Sequence, residues 1–196
     1  GLFRHHYMGS WDAAFQFPVY TAMLAYFYAL GLGGKVVLAF QVLCSTLTAW
    51  LVQRLALHLL HGRPYARRVA LLVAAAVGLS PFLAYYQVRM IHPFAWDTLL
   101  ATALCYGASV ARPAQRTSVV ALFVLGGVAL LNRPTLGVFM LPFLIRERAF
   151  LFSLRAVPQK VGLLVLLVAP LATWMLRNKV VTGRFQLTSV TDRKSV

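Results

Sequence analysis

Acidic side chains are scarce in this sequence: four Asp and Glu stand against 19 Lys and Arg in 196 residues, leaving a formal charge of +15. That surplus invites a nucleic-acid partner. The basic residues, however, sit singly or in short clusters between apolar runs, whereas nucleic-acid modules gather them on one polar face. Their distribution excludes that class. Cysteine is scarce too, and Cys44 and Cys105 both lie inside apolar runs, where a thiol behaves as a small hydrophobe. They form no ligand pair and say nothing of redox compartment. A phosphate-cradling glycine loop and a nucleophile elbow are also missing. The chain opens at Gly1 with no charged stretch, short apolar run and cleavage site in sequence, so no signal peptide is read and further sequence is expected upstream. At the far end, Asp192-Arg193-Lys194-Ser195-Val196 is what a common sequencing adapter encodes in frame. Residues 192–196 are therefore set aside from functional reasoning.

What is abundant is hydrocarbon. Apolar residues make up 60% of the chain and charged ones 12%, with a mean hydropathy of +0.73. A soluble globule of this composition would carry large exposed apolar patches, and lipid removes that difficulty. About 20 apolar residues in a helix cross a hydrocarbon core. The run 36–60 meets that length, with Gln53, Arg54 and His58 near its end able to snorkel. Runs 69–86, 93–110, 117–131 and 161–176 are adequate, and 136–145 is short enough to require tilt or continuation past Arg146. The stretch 17–32 is opened by Pro18, carries Tyr20, Tyr26, Phe27 and Tyr28, and closes on Gly31, Gly33 and Gly34. Its aromatic belt reads as an interfacial or steeply tilted helix. The expected fold is an all-α, polytopic transmembrane bundle of about six spans plus an N-terminal juxtamembrane helix.

Loop charge orients such a bundle. Arg54, Arg63, Arg67, Arg68, Arg112, Arg116, Arg146, Arg148, Arg155 and Lys160 fall in alternate connections and share one side, while the other short connections hold only Lys35, Arg89 and Arg133. The first group is expected to be cytoplasmic. The N-terminal stretch, the 87–92 and 132–135 turns and the C-terminal tail then lie outside. The tails add Arg4, Arg177, Lys179, Arg184, Arg193 and Lys194 to the outer side, but long segments translocate largely regardless of charge.

Polar groups at membrane depth are costly and mark candidate sites. Asp12 and Asp97 are the outer-side carboxylates once the 192–196 tail is set aside. Asp97, four residues after Pro93, reads either as a first-turn acid favoured by the helix dipole or as a functional group. Arg133, inside Leu131-Asn132-Arg133-Pro134-Thr135, reads as a cation facing a cavity, headgroup or anion, or as a snorkelling side chain. Arg177 and Asn178 follow Pro170 and Trp174 and read as a site or as an ordinary span terminus. Arg4, His5, His6 and Tyr7 form a polar cluster, but adjacent histidines do not share a helix face and make a poor metal pair. His58 and His61 suit a helix C-terminus. The glycines read as packing and turn positions.

With these segments placed, the order resembles a known family. Pro18-Val19-Tyr20 opens an aromatic helix, then come a basic turn at 63–68, Ser80-Pro81-Phe82 with Tyr85 and Tyr86, Asp97-Thr98-Leu99, Leu131 to Thr135, and Trp174 to Asn178 before Gly183-Arg184-Phe185. This set is similar to the GT-C membrane glycosyltransferases, chiefly the bacterial relatives of protein mannosyltransferases and lipid A aminoarabinose transferases. The resemblance covers residues 17–189.

It implies an integral, multi-pass protein of the bacterial cytoplasmic (inner) membrane. It further implies transfer of a sugar from a polyprenyl-phosphate donor to a glycan, lipid or protein acceptor on the outer face. No metal is required by the visible residues and no nucleic acid is involved. A carboxylate activates the acceptor while basic groups hold the departing carrier phosphate. The resemblance places the main carboxylate upstream of Gly1, so the fragment would be inactive by itself, with Asp12 as a fallback base and Asp97 a second candidate. Arg133, Arg177, Arg89, Arg4 and Asn178 are the candidate phosphate and substrate ligands. Relatives often carry a basic residue just before the Pro of the aromatic helix, where this chain has Gln16-Phe17.

The implied organisation is an outer-face loop and juxtamembrane helix (1–35), the bundle (36–178), the start of an outer C-terminal region (179–191) and the non-native tail (192–196). A transporter or permease subunit and a non-catalytic membrane scaffold are the alternatives. No internal repeat supports the transporter.

Overall fold

The computed structural model describes residues 5–7, 10–12, 18–88, 91–153, 157–183 and 185. They are helical apart from an antiparallel hairpin, β1 (His5–Tyr7) and β2 (Ser10–Asp12), in register His5 to Asp12. Strands of three residues are too short to leave a period-two signal, and the sequence reading did not include them. Helices follow: α1 Pro18–Ala29, α2 Gly34–Leu59, α3 Ala66–Gly78, α4 Pro81–Val88, α5 Phe94–Val110, α6 Arg116–Asn132, a 3₁₀ segment Pro134–Met140, α7 Leu141–Arg146, α8 Arg148–Phe152 and α9 Val157–Thr182.

Among the described residues, two helices are long and apolar enough to cross a membrane, Gly34–Leu59 and Val157–Val181. Six full spans are not shown, and for two of the expected runs the reason lies in the prolines. The run 69–86, expected as one span, divides into α3 and α4 at Leu79-Ser80-Pro81. Pro81 lacks an N–H and pushes the preceding residue out of the helical region. Pro134 has the same effect ahead of 136–145, which forms a 3₁₀ segment followed by the six-residue α7 with Pro142 in its first turn. At 13 and 8 residues, α3 and α4 are each too short to span hydrocarbon. Gly62 (φ 80°) and Gly183 (φ 76°) take the left-handed conformation that ends α2 and α9, a geometry side chains resist.

The direction of each helix follows from its contacts. Gln41 Nε2 donates to the His92 carbonyl at 2.6 Å and the Phe40 ring meets Trp96 at 5.9 Å, so α2 and α5 start at the same end. α3 returns along α2, with Gly78 against Ala49. α6 runs antiparallel to α5: Gly107 in the last turn of α5 faces Leu122, and Asn132 at the end of α6 reaches Asp97 near the start of α5. α9 runs parallel to α6, from Arg116 beside Gln159 to Gly127 beside Leu166 and Pro170. A side chain on Gly127 would stand 2.5 Å from the Leu166 carbonyl oxygen, so glycine is what allows the two helices to approach. Here the expected packing role of glycine is met. The central core is formed by Leu104, Val119, Leu122, Phe123, Met140 and Phe143.

The bundle therefore has two ends. One holds the starts of α2 and α5 and the C-terminus of α6. The other holds Arg63, Arg67, Arg68, Arg112, Arg116, Arg146 and Arg148, brought together by the turns between α2 and α3, between α5 and α6, and after α7. Polarity is reversed along α2. Gln41, Cys44, Ser45 and Thr48 are buried, while Val42, Leu43, Leu47 and Trp50 are exposed. In α9, Leu163, Trp174 and Asn178 are buried while Leu164, Val165, Val168, Leu176 and Val180 are exposed.

Candidate functional site

The site is assembled from the N-terminus of α5 and the C-terminus of α6. Pro93 opens α5 and its carbonyl accepts the Asp97 N–H at 2.8 Å, which fixes Asp97 one turn into the helix. Pro134 acts on the other side. A residue before proline is driven to extended backbone, and Arg133 has φ −154° and ψ 118° directly after the last helical residue, Asn132. The guanidinium thereby leaves the line of α6 and reaches Asp97: Nε lies 3.0 Å from Oδ2. Asn132, still helical, donates from Nδ2 to Oδ1 at 2.7 Å. One carboxylate is thus held at both oxygens by the last residue of a second helix and the residue that follows it.

Burial divides the pair unequally. The Asp97 side chain is 11% exposed and that of Arg133 49%. Burying Asp97 without a counter-charge would cost several kcal/mol, so Arg133 and Asn132 are what make a carboxylate tolerable there. Among the described residues Arg133 has no second ion-pair partner, and its outer nitrogens remain available to an anion.

Around this clamp lie groups that sequence reasoning did not single out as site residues. Asn132 is fully involved and 3% exposed. His92 Nδ1 accepts the Phe94 N–H at 3.2 Å, and its carbonyl takes Gln41, tying the approach to α5 onto α2. Tyr20, in α1, is buried, and its hydroxyl has no hydrogen-bond partner among the described residues; the same is true of Ser45 Oγ and Trp96 Nε1. Burial, then the nearby Asp97 charge, pushes the Tyr20 phenol up to about 12, so it keeps its proton and remains a donor. The signal available beforehand was the stripe Gln41, Ser45, Thr48 at helical spacing on an otherwise apolar helix.

The other candidates distribute as follows. Arg177 stacks over Trp174, 4.7 Å from the ring centroid, and donates from Nη1 to Asn178 Oδ1 at 2.9 Å; Asn178 is fully buried. Because α9 runs parallel to α6, this pair lies toward the Asp97 end. The Asp12 backbone lies in β2 opposite His5. Arg4 and Arg89 lie outside the described residues. Among the described residues no group of three or more His, Cys, Asp or Glu converges on a metal position.

At the opposite end Arg146 has a different task. Its guanidinium donates to the carbonyls of Ser109, at 2.6 Å, and Ala111, satisfying acceptors at the C-terminus of α5, while Nε meets Glu147 at 2.8 Å. Compared with protein-family models, with curated proteins and with solved structures, the chain gives no match.

Proposed function

We propose that this chain is the multi-pass membrane body of a glycosyltransferase that moves a sugar from a polyprenyl-phosphate donor to an acceptor on the outer face of the bacterial inner membrane. The observation that carries the reading is the Asp97–Asn132–Arg133 clamp, which presents a half-exposed guanidinium from a buried anchor. Such a group suits the carrier phosphate, whose negative charge grows as the sugar departs. Asp97, engaged at both oxygens, positions Arg133 and is poorly placed to remove a proton. The general base is then supplied elsewhere, with Asp12 or a carboxylate upstream as candidates. Arg177, stacked on Trp174, is a second cation near the same end.

The membrane part of the proposal is supported by α2 and α9, whose large apolar side chains face outward while polar ones turn inward. In water that arrangement is unfavourable, and in lipid it is the favourable one. The collection of basic residues at the Arg146 end, with Glu147 the acid there among the described residues, suits a cytoplasmic face.

The test uses the product of the whole gene with a polyprenyl-phosphate sugar. Arg133→Ala should lower transfer about 100-fold or more, as loss of a charge-stabilising donor does, with Arg133→Lys intermediate. Undiminished turnover in Arg133→Ala would sink the assignment. A transporter is the second reading, favoured by the helix breaks at Pro81 and Pro134, since interrupted helices often frame transported substrates. Solute flux in proteoliposomes without sugar transfer would select it.

A further inference from the structure

We propose that the junction of α1, α2 and α5 beside Asp97 seats the sugar ring, with Tyr20 Oη, Ser45 Oγ and Trp96 Nε1 as its hydrogen-bonding groups and the Phe40 and Trp96 rings as its apolar wall. This rests on the transferase reading above and specifies where its neutral half binds. Tyr20 and Ser45 are each 8% exposed, and neither hydroxyl has a partner among the described residues; the Trp96 indole N–H is buried and equally without one. Buried polar groups are paired in nearly all folded proteins, so three at one helix junction point to something polar that completes them.

Their placement is coherent. Tyr20 and Phe27 lie seven residues apart, on one face of α1. Phe27 packs on Phe40 at 5.5 Å, and Phe40 on Trp96 at 5.9 Å, joining the three helices. Ser45 lies on the buried face of α2 that also carries Gln41, which is bonded to the residue two before Phe94.

The chemistry narrows the ligand. An anion is disfavoured next to the Asp97 carboxylate, and its place is on the exposed side of Arg133. Hydroxyl groups of a sugar can accept from Tyr20 and Trp96 and exchange with Ser45, while C–H faces of the ring lie against aromatic carbon. A neutral or amino-substituted sugar fits both demands. Its phosphate would point to Arg133.

The experiment measures transfer kinetics of the whole gene product and the unfolding temperature of the same protein without donor. Tyr20→Phe and Trp96→Phe should each raise KM for the donor about 10-fold or more, because a site built to bond hydroxyls loses a partner. Donor-free Tyr20→Phe should unfold at the same or a higher temperature, since it removes an uncompensated buried hydroxyl. Unchanged KM in both variants would overturn the seat, leaving the three groups to water. A lower donor-free unfolding temperature in Tyr20→Phe would also overturn it, marking the hydroxyl as structural. If Arg133→Ala abolishes transfer while these variants are silent, only the sugar seat fails; if Arg133→Ala is silent as well, the transferase reading itself fails.

Discussion

Arg133 and Arg146 stand at opposite ends of the bundle, one just beyond the last turn of α6 and the other within the last turn of α7, and they do different things. Arg146 turns its guanidinium inward to backbone carbonyls that α5 leaves unsatisfied, with Glu147 as an added neighbour. Arg133 joins a buried carboxylate through Nε while about half of its side chain stays exposed. The difference comes from what surrounds each residue. The next residue after Arg133 is Pro134, which forces an extended backbone and swings the side chain across to α5. Arg146 ends the six-residue α7 beside α5, where both its Nη groups meet carbonyls while Nε meets the neighbouring Glu147. A cation bonded to neutral carbonyls holds a fold together, whereas one bonded to a buried acid is held in a chosen direction with donors to spare.

Breaking the frame that holds the two ends in register should have the largest effect. Gly127→Val places methyl groups where the Leu166 carbonyl already stands 2.5 Å from a Cβ position, and should cost about 3 kcal/mol. Thermal unfolding in detergent, with loss of monodisperse protein by size exclusion, measures it. Breaking the Asp97 end comes next. Asp97→Ala leaves Arg133 and Asn132 without their partner and should destabilise by about 2 kcal/mol, discounted from a fully buried pair because Arg133 is half exposed. Asn132→Ala should cost about 1 kcal/mol by the same assay, and a double-mutant cycle with Asp97→Ala should show their effects to be strongly non-additive.

At the other end, Arg146→Gln should cost about 1 kcal/mol through the α5 carbonyls, while Glu147→Gln should stay within about 0.5 kcal/mol because that ion pair joins sequence neighbours and is partly exposed on both sides. A larger cost for Glu147→Gln than for Arg146→Gln would reverse the assigned roles. The comparison sharpens further with salt. Raising ionic strength should leave the Asp97→Ala penalty nearly unchanged and shrink the Glu147→Gln one, because buried pairs are little screened.

Much of the helix layout was legible because long apolar runs bounded by Pro, Gly and basic residues leave few alternatives. The run 36–60 corresponds to α2, and 117–131 to all of α6 but its two end residues. Failures cluster at proline. Pro81 divides an apolar run that reads as continuous, because hydropathy does not register a missing N–H. Asp97 and Arg133 were both visible as candidates, each with a bland alternative, and nothing in a separation of 36 positions joins them. Asn132 gives no separate signal, because an amide at a helix end looks like a terminus. Tyr20, Ser45 and Trp96 were hidden among aromatic and small residues that also serve ordinary packing.

By itself, the sequence determined where helices form, which stretches are apolar enough to leave water, and the alternation of basic connections. These depend on local chemistry: peptide-bond geometry, side-chain hydropathy and proline's missing donor. The antiparallel pairing of α5 with α6 decided that Asp97, Asn132 and Arg133 form one unit, and the glycine-lined approach of α6 to α9 set the frame that holds it. Those outcomes depend on which helices pack together and in which direction, and a hydrogen bond of 2.7 Å between residues 35 positions apart exists only once they do.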